Sequence, residues 1–282
     1  MFTALIVEPF GWLLKICYNL VGNYGVAILI FTLLSKFVIL PFQMKSKKSM
    51  MEMQKLQPKL RELEKKYKDD KERYALETQK LYKKEGVSMF GGCLPMLITL
   101  PIMIGLYSVV RQPLTYIFDI TPEQIQTLAD AFRAAGAKIT STSGYMLQID
   151  VSSLLSKYPD IVASITPNLT NLDFNFLGID LSLIPNFKYI TILWVIPVLS
   201  GLTAWLSNIL IRRSQGNQIT EQAAATNGMM NVMMPLMSVW IAFMVPASLG
   251  LYWIISNVLT AVQEPILTAY YKNKAAKAEE EK

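Results

Sequence analysis

The feature that most constrains this chain is the alternation of long apolar blocks with strongly charged blocks. A soluble protein of 282 residues would interleave its charges with its apolar positions, whereas here the 52% hydrophobic content is concentrated in separate runs. A helix needs about 20 apolar residues to cross the hydrocarbon core of a bilayer. Five segments meet or approach that length, at residues 24–42, 93–110, 189–211, 229–245 and 247–267. The pattern predicts an all-α polytopic membrane protein with five transmembrane helices.

Lysine and arginine are distributed unequally between the segments that flank these spans. Residues 43–92 carry 14 of the 27 Lys and Arg residues, and further ones lie in 212–228 and 268–282, while the long segment 111–188 has few. Loops with an excess of Lys and Arg stay on the cytoplasmic side of the membrane. The sequence therefore predicts that 111–188 and the N-terminus lie outside, and that the other three segments, including the C-terminal tail, lie in the cytoplasm.

The residue types that carry most enzyme chemistry are missing or scattered. Histidine is absent, and Cys17 and Cys93 lie near opposite faces of the predicted membrane, so neither a zinc site nor a disulfide is expected. No carboxylate pair, nucleophile–base set or phosphate-binding glycine loop is recognisable. The net charge of +6 is accounted for by topology, so we expect no sequence-specific nucleic-acid binding. The sequence predicts a protein that is not an enzyme, with no catalytic residues, metal or cofactor.

Two segments on the outer side have helical signatures. In residues 1–23, four apolar side chains share one helical face, which predicts an amphipathic helix lying on the outer membrane surface. These are Trp12, Leu13, Ile16 and Leu20. In the 111–188 segment, Thr121–Ala135 is predicted to be a helix with Thr121 as N-cap and Pro122 at its first position.

The cytoplasmic segment 43–92 has an amphipathic pattern of its own. Leu56, Leu60 and Leu63 recur at helical spacing, Asp69-Asp70 supplies a turn with an N-cap, and Gly86 is a stop signal. We expect two antiparallel helices joined near Asp69 and lying beneath the membrane. A solvated charged linker is the alternative, but a linker needs no apolar stripe.

Lys36 places a charge inside the first span, within FTLLSKFVILPF. The predicted topology puts it in the inner leaflet, about 9 Å of helix from Phe42. Lysine can extend its amine from that depth toward the interface, so such snorkelling is one explanation. A second is a binding site, because polar residues of other spans are also concentrated in the inner leaflet.

These polar residues fall on consistent helical faces. Thr32 and Lys36 are four residues apart on the first span, and a second stripe runs along the fifth. The fifth-span stripe consists of Trp253, Asn257, Thr260 and Glu264, with Gln263 beside it; the third span adds Ser207 and Asn208. We predict one hydrophilic groove, open to the cytoplasm and closed above by apolar packing. Glu264 is a candidate counter-charge for Lys36, although the sequence does not favour a direct pair.

Four stretches of the chain are similar to the YidC/Oxa/Alb family of membrane protein insertases, and the resemblance covers nearly the full length. The first span and the cytoplasmic hairpin match through VGNYGVAILIFTLLSKFVILPF and EMQKLQPKLRELEKKYKDDKER. The second span and the last two match through GGCLPMLITLPIMIGLY and MMPLMSVWIAFMVPASLGLYWIISNVLTAVQ. The chain looks most like the short, five-span form found in Gram-positive bacteria.

The resemblance implies a function and several site residues. A cationic residue of the family's groove corresponds to Lys36, where the usual bacterial residue is arginine. The aromatic groove position corresponds to Trp253, and the substrate-contacting face of the second span to Leu100 and Met103. The resemblance implies an insertase and chaperone of the bacterial cell membrane, whose partners are nascent membrane proteins, the ribosome, the lipid bilayer and the Sec translocon. The alternatives are a small-solute transporter, for which repeat halves and paired intramembrane charges are missing, and a purely structural assembly module.

Overall fold

The computed structural model describes residues 2–68, 70–86, 104–142, 144–167, 169, 173–215, 233 and 235–280. These residues are mostly helical. They belong to two compact units, each built from three stretches of the chain. The first unit comprises Met1–Ser35, Pro101–Ala204 and Pro235–Asn257, and the second comprises Lys36–Leu100, Trp205–Met234 and Val258–Lys282.

Helices account for nearly all of the regular structure in the described residues. The amino-terminal part contains α1 (Phe2–Val21), α2 (Tyr24–Lys55), α3 (Gln57–Lys66) and α4 (Lys71–Lys84). Residues 104–110 form α5, followed by α6 (Pro113–Phe118), α7 (Pro122–Ala134), α8 (Gly144–Leu154) and α9 (Pro159–Ile165). A 3₁₀ turn (Leu155–Lys157) joins α8 to α9, and strands β1 (Asn175–Phe176) and β2 (Ile179–Asp180) form an antiparallel hairpin. A second 3₁₀ turn (Ile192–Trp194) leads into α10 (Val195–Gln215), residues 235–242 form α11, and α12 spans Ala247–Glu280.

Two helical stretches among the described residues are long and apolar enough to cross a membrane, Tyr24–Lys55 and Ile192–Ser214. They contain the first predicted span and most of the third. Of the second predicted span, 93–110, the described residues are 104–110, whereas most of the fourth, 229–245, is described and contains α11. The fifth is the amino-terminal part of α12, whose polar side chains lower its mean hydropathy.

The first span continues as one helix well beyond its predicted end at Phe42. Helix α2 passes through Pro41 and ends at Lys55. It stops there because Pro58, in the first turn of α3, has no amide hydrogen with which to continue the hydrogen-bond ladder. The segment 44–68, predicted as one helix of the hairpin, is therefore divided at Leu56 between α2 and α3.

The hairpin itself is formed by α3 and α4. They run antiparallel, since Lys59 near the start of α3 pairs with Glu85 just after α4, with Nζ and Oε1 2.5 Å apart. Asp70 caps α4 by accepting a hydrogen bond from the Arg73 amide at 2.9 Å, and Gly86 follows the helix with a φ of +66°. The predicted N-cap and stop signal are confirmed.

The segment 111–188 contains a small apolar core that the sequence did not predict. Within the first unit, α6–α9 bury a shared cluster that includes Leu128, Phe132 and Val151. Helix α7 begins with the predicted cap: Thr121 accepts from the Gln124 amide, and the Gln124 side chain accepts from the Thr121 amide. This part of the segment is a folded layer rather than an irregular loop.

Two further contacts organise the first unit. The backbone after β2 meets the start of α12, where the amides of Ala247 and Ser248 donate to the carbonyls of Leu183 and Leu181, both at 2.9 Å. Helix α1 packs on α6, and its predicted lipid-facing side lies at the protein surface, with Trp12 67% exposed. An interfacial location for α1 stays a prediction.

Candidate functional site

Lys36 lies beside α12 in the second unit. Its Nζ donates a hydrogen bond to Thr260 Oγ1 at 2.7 Å, and both side chains are partly buried. Lys36 sits on the inner half of the first predicted span and Thr260 on that of the fifth, so the two predicted polar stripes meet here. The partner is a neutral hydroxyl, which leaves the lysine charge uncompensated at this contact.

The line of polar contacts continues from Lys36 toward the carboxyl-terminal parts of α2 and α12. The Gln263 amide donates to Gln43 Oε1, and Lys47 Nζ lies 2.5 Å from Glu264 Oε2. We call these six residues, three on each helix, the polar seam: Lys36, Gln43, Lys47, Thr260, Gln263 and Glu264. Beyond it, the Tyr271 hydroxyl donates to the Met44 carbonyl at 3.0 Å. The seam joins α2 and α12 over three helical turns of α2.

Lys47 is the most enclosed charge of the seam. Its side chain is 2% exposed, whereas that of Glu264 is 24% exposed. Burial of a lysine is tolerated when an opposite charge is hydrogen-bonded to it, and the Glu264 carboxylate supplies that charge. Glu264, the candidate counter-charge of Lys36, is thus bound by Lys47, and no ion pair joins Lys36 to Glu264, both of which the structure describes.

The predicted groove residues of the first unit behave differently. Thr32 is 1% exposed, and its hydroxyl donates to the Ile28 carbonyl of its own helix at 2.6 Å, as polar residues in helices often do. The Asn257 amide lies 3.4 Å from Thr203 Oγ1, which joins α12 to α10, and Trp253 is partly buried. The Thr32 hydroxyl therefore has a hydrogen-bond partner within its own helix, and its place in the groove stays a prediction.

The remaining predicted residues are on α10 or outside the described residues. Ser207 is buried and Asn208 is partly buried. Leu100 and Met103, the positions taken from the resemblance, are not among the described residues. We still predict, from the sequence, that one groove encloses all of these residues.

Sequence reasoning missed Gln43 and Lys47. Both lie past the predicted end of the first span, in a segment so rich in lysine that one more lysine is not distinctive. A signal was available, since Lys36, Gln43 and Lys47 follow the spacing i, i+7, i+11 on one helical face. That spacing is the one used to recognise the stripe on α12.

Lys36 gives the described part of the site a cation that is suited to an anionic partner. No group of three or more metal-ligating side chains occurs among the described residues. A cation in a membrane span is unfavourable by about 2.5–3.5 kcal/mol at the helix centre and tends to mark a functional site. A substrate carboxylate would give Lys36 the oppositely charged partner that the Thr260 hydroxyl is not.

The surroundings of the seam define the class of protein. Large apolar side chains on the long helices are exposed, including Phe37 at 63%, Val262 at 59% and Trp205 at 49%. Such faces are compatible with lipid and not with water. Long apolar helices with a polar seam between two of them are typical of a helical integral membrane protein with an intramembrane site.

Comparison with known proteins identifies the family. The family model described as 60Kd inner membrane protein matches residues 16–275, and the chain therefore belongs to this family, as the resemblance indicated. A membrane protein insertase YidC of Caldanaerobacter subterraneus subsp. tengcongensis is 29% identical over 93% of this chain and 94% of its own length. A membrane protein insertase YidC 2 of Listeria innocua is 28% identical over 98% of this chain and 78% of its own.

Some relatives are much longer. A membrane protein insertase YidC of Syntrophus aciditrophicus is 56% identical over 94 residues, which are 33% of this chain and only 17% of the relative. High identity is thus confined to part of the chain in such relatives, while the relatives of similar length align throughout.

Proposed function

We propose that this protein inserts integral membrane proteins into the bacterial cell membrane and assists their folding. The proposal rests on one observation, the hydrogen bond that Lys36 on α2 donates to the neutral hydroxyl of Thr260 on α12. Both helices have exposed apolar faces suited to lipid. Membership of the 60Kd inner membrane protein family and the names of its relatives support it. No covalent step is involved.

The proposed architecture has five spans around a cytosol-open hydrophilic groove. The spans are 24–42, 93–110, 189–211, 229–245 and 247–267, with the N-terminus outside and the C-terminus in the cytoplasm. The distribution of Lys and Arg supports this orientation. The groove comprises Lys36 and the other predicted residues on the first, second, third and fifth spans.

In this mechanism the groove receives the short polar end of a substrate helix. A polar segment entering hydrocarbon loses its hydration, and a polar groove in the inner leaflet replaces part of it. Lys36 attracts acidic residues of that end, while apolar faces of neighbouring spans guide the rest of the helix into lipid. The substrate end is released outside once the helix spans the membrane.

The helical hairpin α3–α4 is proposed to recruit partners in the cytoplasm. It exposes many charges, has no buried residue on α4, and carries Leu76 at 55% exposure, so its surface is available to other molecules. Nascent membrane proteins, the ribosome and the Sec translocon are the proposed partners.

The proposal is tested in cells depleted of their own insertase. We expect expression of this chain to restore growth and the insertion of single-span test proteins, measured by protease accessibility of the exported end. A Lys36→Leu variant present at the same membrane level is the matched control and should restore neither fully. Absence of rescue by the wild-type chain, when it is present in the membrane, would refute the proposal.

A further inference from the structure

Two lysines on one face of α2 lie near a single carboxylate of α12. Lys47 holds Glu264 Oε2 at 2.5 Å, and the same carboxylate also acts electrostatically on Lys36. Lys36 itself donates to Thr260, one helical turn before Glu264. Which lysine holds the carboxylate therefore decides how much positive charge Lys36 presents.

We propose that Lys47 is a positioning residue for substrate recognition, which holds the Glu264 carboxylate and so prevents it from neutralising Lys36. The inference rests on the proposed function and adds a specificity-determining residue to it. The preferred substrate end is acidic because Lys36 remains an unneutralised cation.

The geometry supports this assignment. Lys47 is 2% exposed, so water contributes little to satisfying its charge, and the carboxylate is its charged partner in the described contacts. Without Lys47, Lys36 is the other lysine of the seam, and its partner Thr260 lies one helical turn before Glu264. An ion pair with Glu264 would add the attraction of opposite charges, which the bond to the neutral Thr260 hydroxyl lacks, so the carboxylate would shift toward Lys36.

A purely structural role for the pair is the competing explanation. The seam does not depend on the ion pair alone, because Gln263–Gln43 and Tyr271–Met44 also join α2 to α12. A structural loss would lower insertion of all substrates alike. A loss of charge control would affect only substrates with acidic ends, which separates the two explanations.

The experiment uses the full chain in insertase-depleted cells and two single-span substrates. The substrates differ only in the exported end, which carries either two Asp residues or two Asn residues. We expect Lys47→Met to lower insertion of the acidic substrate about fivefold and to leave insertion of the neutral substrate unchanged. Fivefold is at the lower end of the range for energetic coupling between two sites of one protein. The double variant Lys47→Met/Glu264→Gln should restore the acidic substrate, because no carboxylate remains to neutralise Lys36.

Two further variants keep the test decisive. Lys47→Leu also removes the lysine charge and should show the same selective loss of the acidic substrate. Tyr271→Phe removes a neutral hydrogen bond near the seam and should not alter substrate preference. If Lys47→Met is absent from the membrane, the Lys47→Leu result decides.

The outcomes distinguish this inference from the proposed function. Equal loss of both substrates in Lys47→Met or Lys47→Leu, or no restoration in the double variant, would overturn the role of Lys47 while leaving the insertase function intact. Failure of the wild-type chain to insert either substrate would overturn the proposed function and this inference with it.

Discussion

Lys36 is the residue whose charge the proposed function requires. Its ammonium group is a compact charge that binds a carboxylate through single hydrogen bonds, whereas arginine offers a planar fork that binds both oxygens. The function proposed here needs a positive charge at this depth and does not need the fork. Lysine and arginine should therefore be interchangeable at position 36.

We expect Lys36→Arg to keep insertion of an acidic-ended substrate near the wild-type level and Lys36→Leu to lower it about tenfold. Tenfold corresponds to ~1.4 kcal/mol, close to the lower limit for a hydrogen bond to a charged group. Protease protection in depleted cells gives the measurement. Equal insertion by the Leu and Arg variants would contradict a role for the charge.

Sequence reasoning worked for residues whose type conflicts with their surroundings. Lys36 and Thr260 are polar residues in apolar spans, so both were identified, and the structure joins them. Lys47 lies in a lysine-rich segment, so its residue type carries no information there. Only its burial and its contact with Glu264 distinguish it from its exposed neighbour Lys48.

At the scale of elements, the ends of helices were predicted where side chains make the local hydrogen bonds. Asp70 and Thr121 were recognised as N-caps because their oxygens satisfy amides that a helix leaves free. The length of α2 was missed, because hydropathy ends at Phe42 while backbone hydrogen bonding continues to Lys55. The core of α6–α9 was missed because short helices have little periodicity to recognise.

The capping box of α7 gives a prediction about the outer segment. We expect Thr121→Ala to reduce the local stability of α7 by about 1 kcal/mol, since the Gln124 amide loses its acceptor. Hydrogen exchange of the first-turn amides in nanodiscs measures this. Thr127→Ala is the matched control, because the Thr127 hydroxyl bonds the Glu123 carbonyl within the helix and caps nothing. An equal effect of both substitutions would contradict the capping role.

The contact that closes the hairpin should depend on pH. Hydrogen bonding and the charge of Lys59 hold the pKa of Glu85 below its ordinary value. A lowered pKa in the folded state means that the pair is present above the ordinary glutamate range and is lost as the pH falls through the pKa of the folded state. Because the carboxylate is exposed, the effect is small.

Spin labels on Gln57 and Lys84 measure this closure in the full chain. We expect the distance distribution to broaden as the pH is lowered below the ordinary glutamate range. Glu85→Gln should show the broad distribution at every pH. A wild-type distribution that is narrow and unchanged down to acidic pH would contradict the role of this ion pair.

At the scale of the whole molecule, the structure indicates where the hairpin can be removed without damage to the seam. A deletion from residue 50 to 84 would remove the end of α2, whereas a deletion from 57 to 84 starts after α2 ends at Lys55. We expect replacement of 57–84 by a short Gly/Ser linker to lower total insertion but to keep the protein in the membrane. The preference for acidic substrate ends should persist, because the seam is intact.

The matched comparison for this deletion is the wild-type chain at equal membrane level. Insertion at the wild-type rate after removal of 57–84 would contradict a recruiting role for the hairpin. Loss of the preference for acidic ends would instead indicate that the hairpin helps to form the seam.

Reversing both charges tests whether Lys36 recognises the charge of the substrate end. Insertion is measured for the wild-type chain and for Lys36→Glu, each with a substrate whose exported end carries two Asp or two Lys residues. We predict that the wild type favours the Asp end and that Lys36→Glu favours the Lys end. The same order of the two substrates in both proteins would contradict the claim.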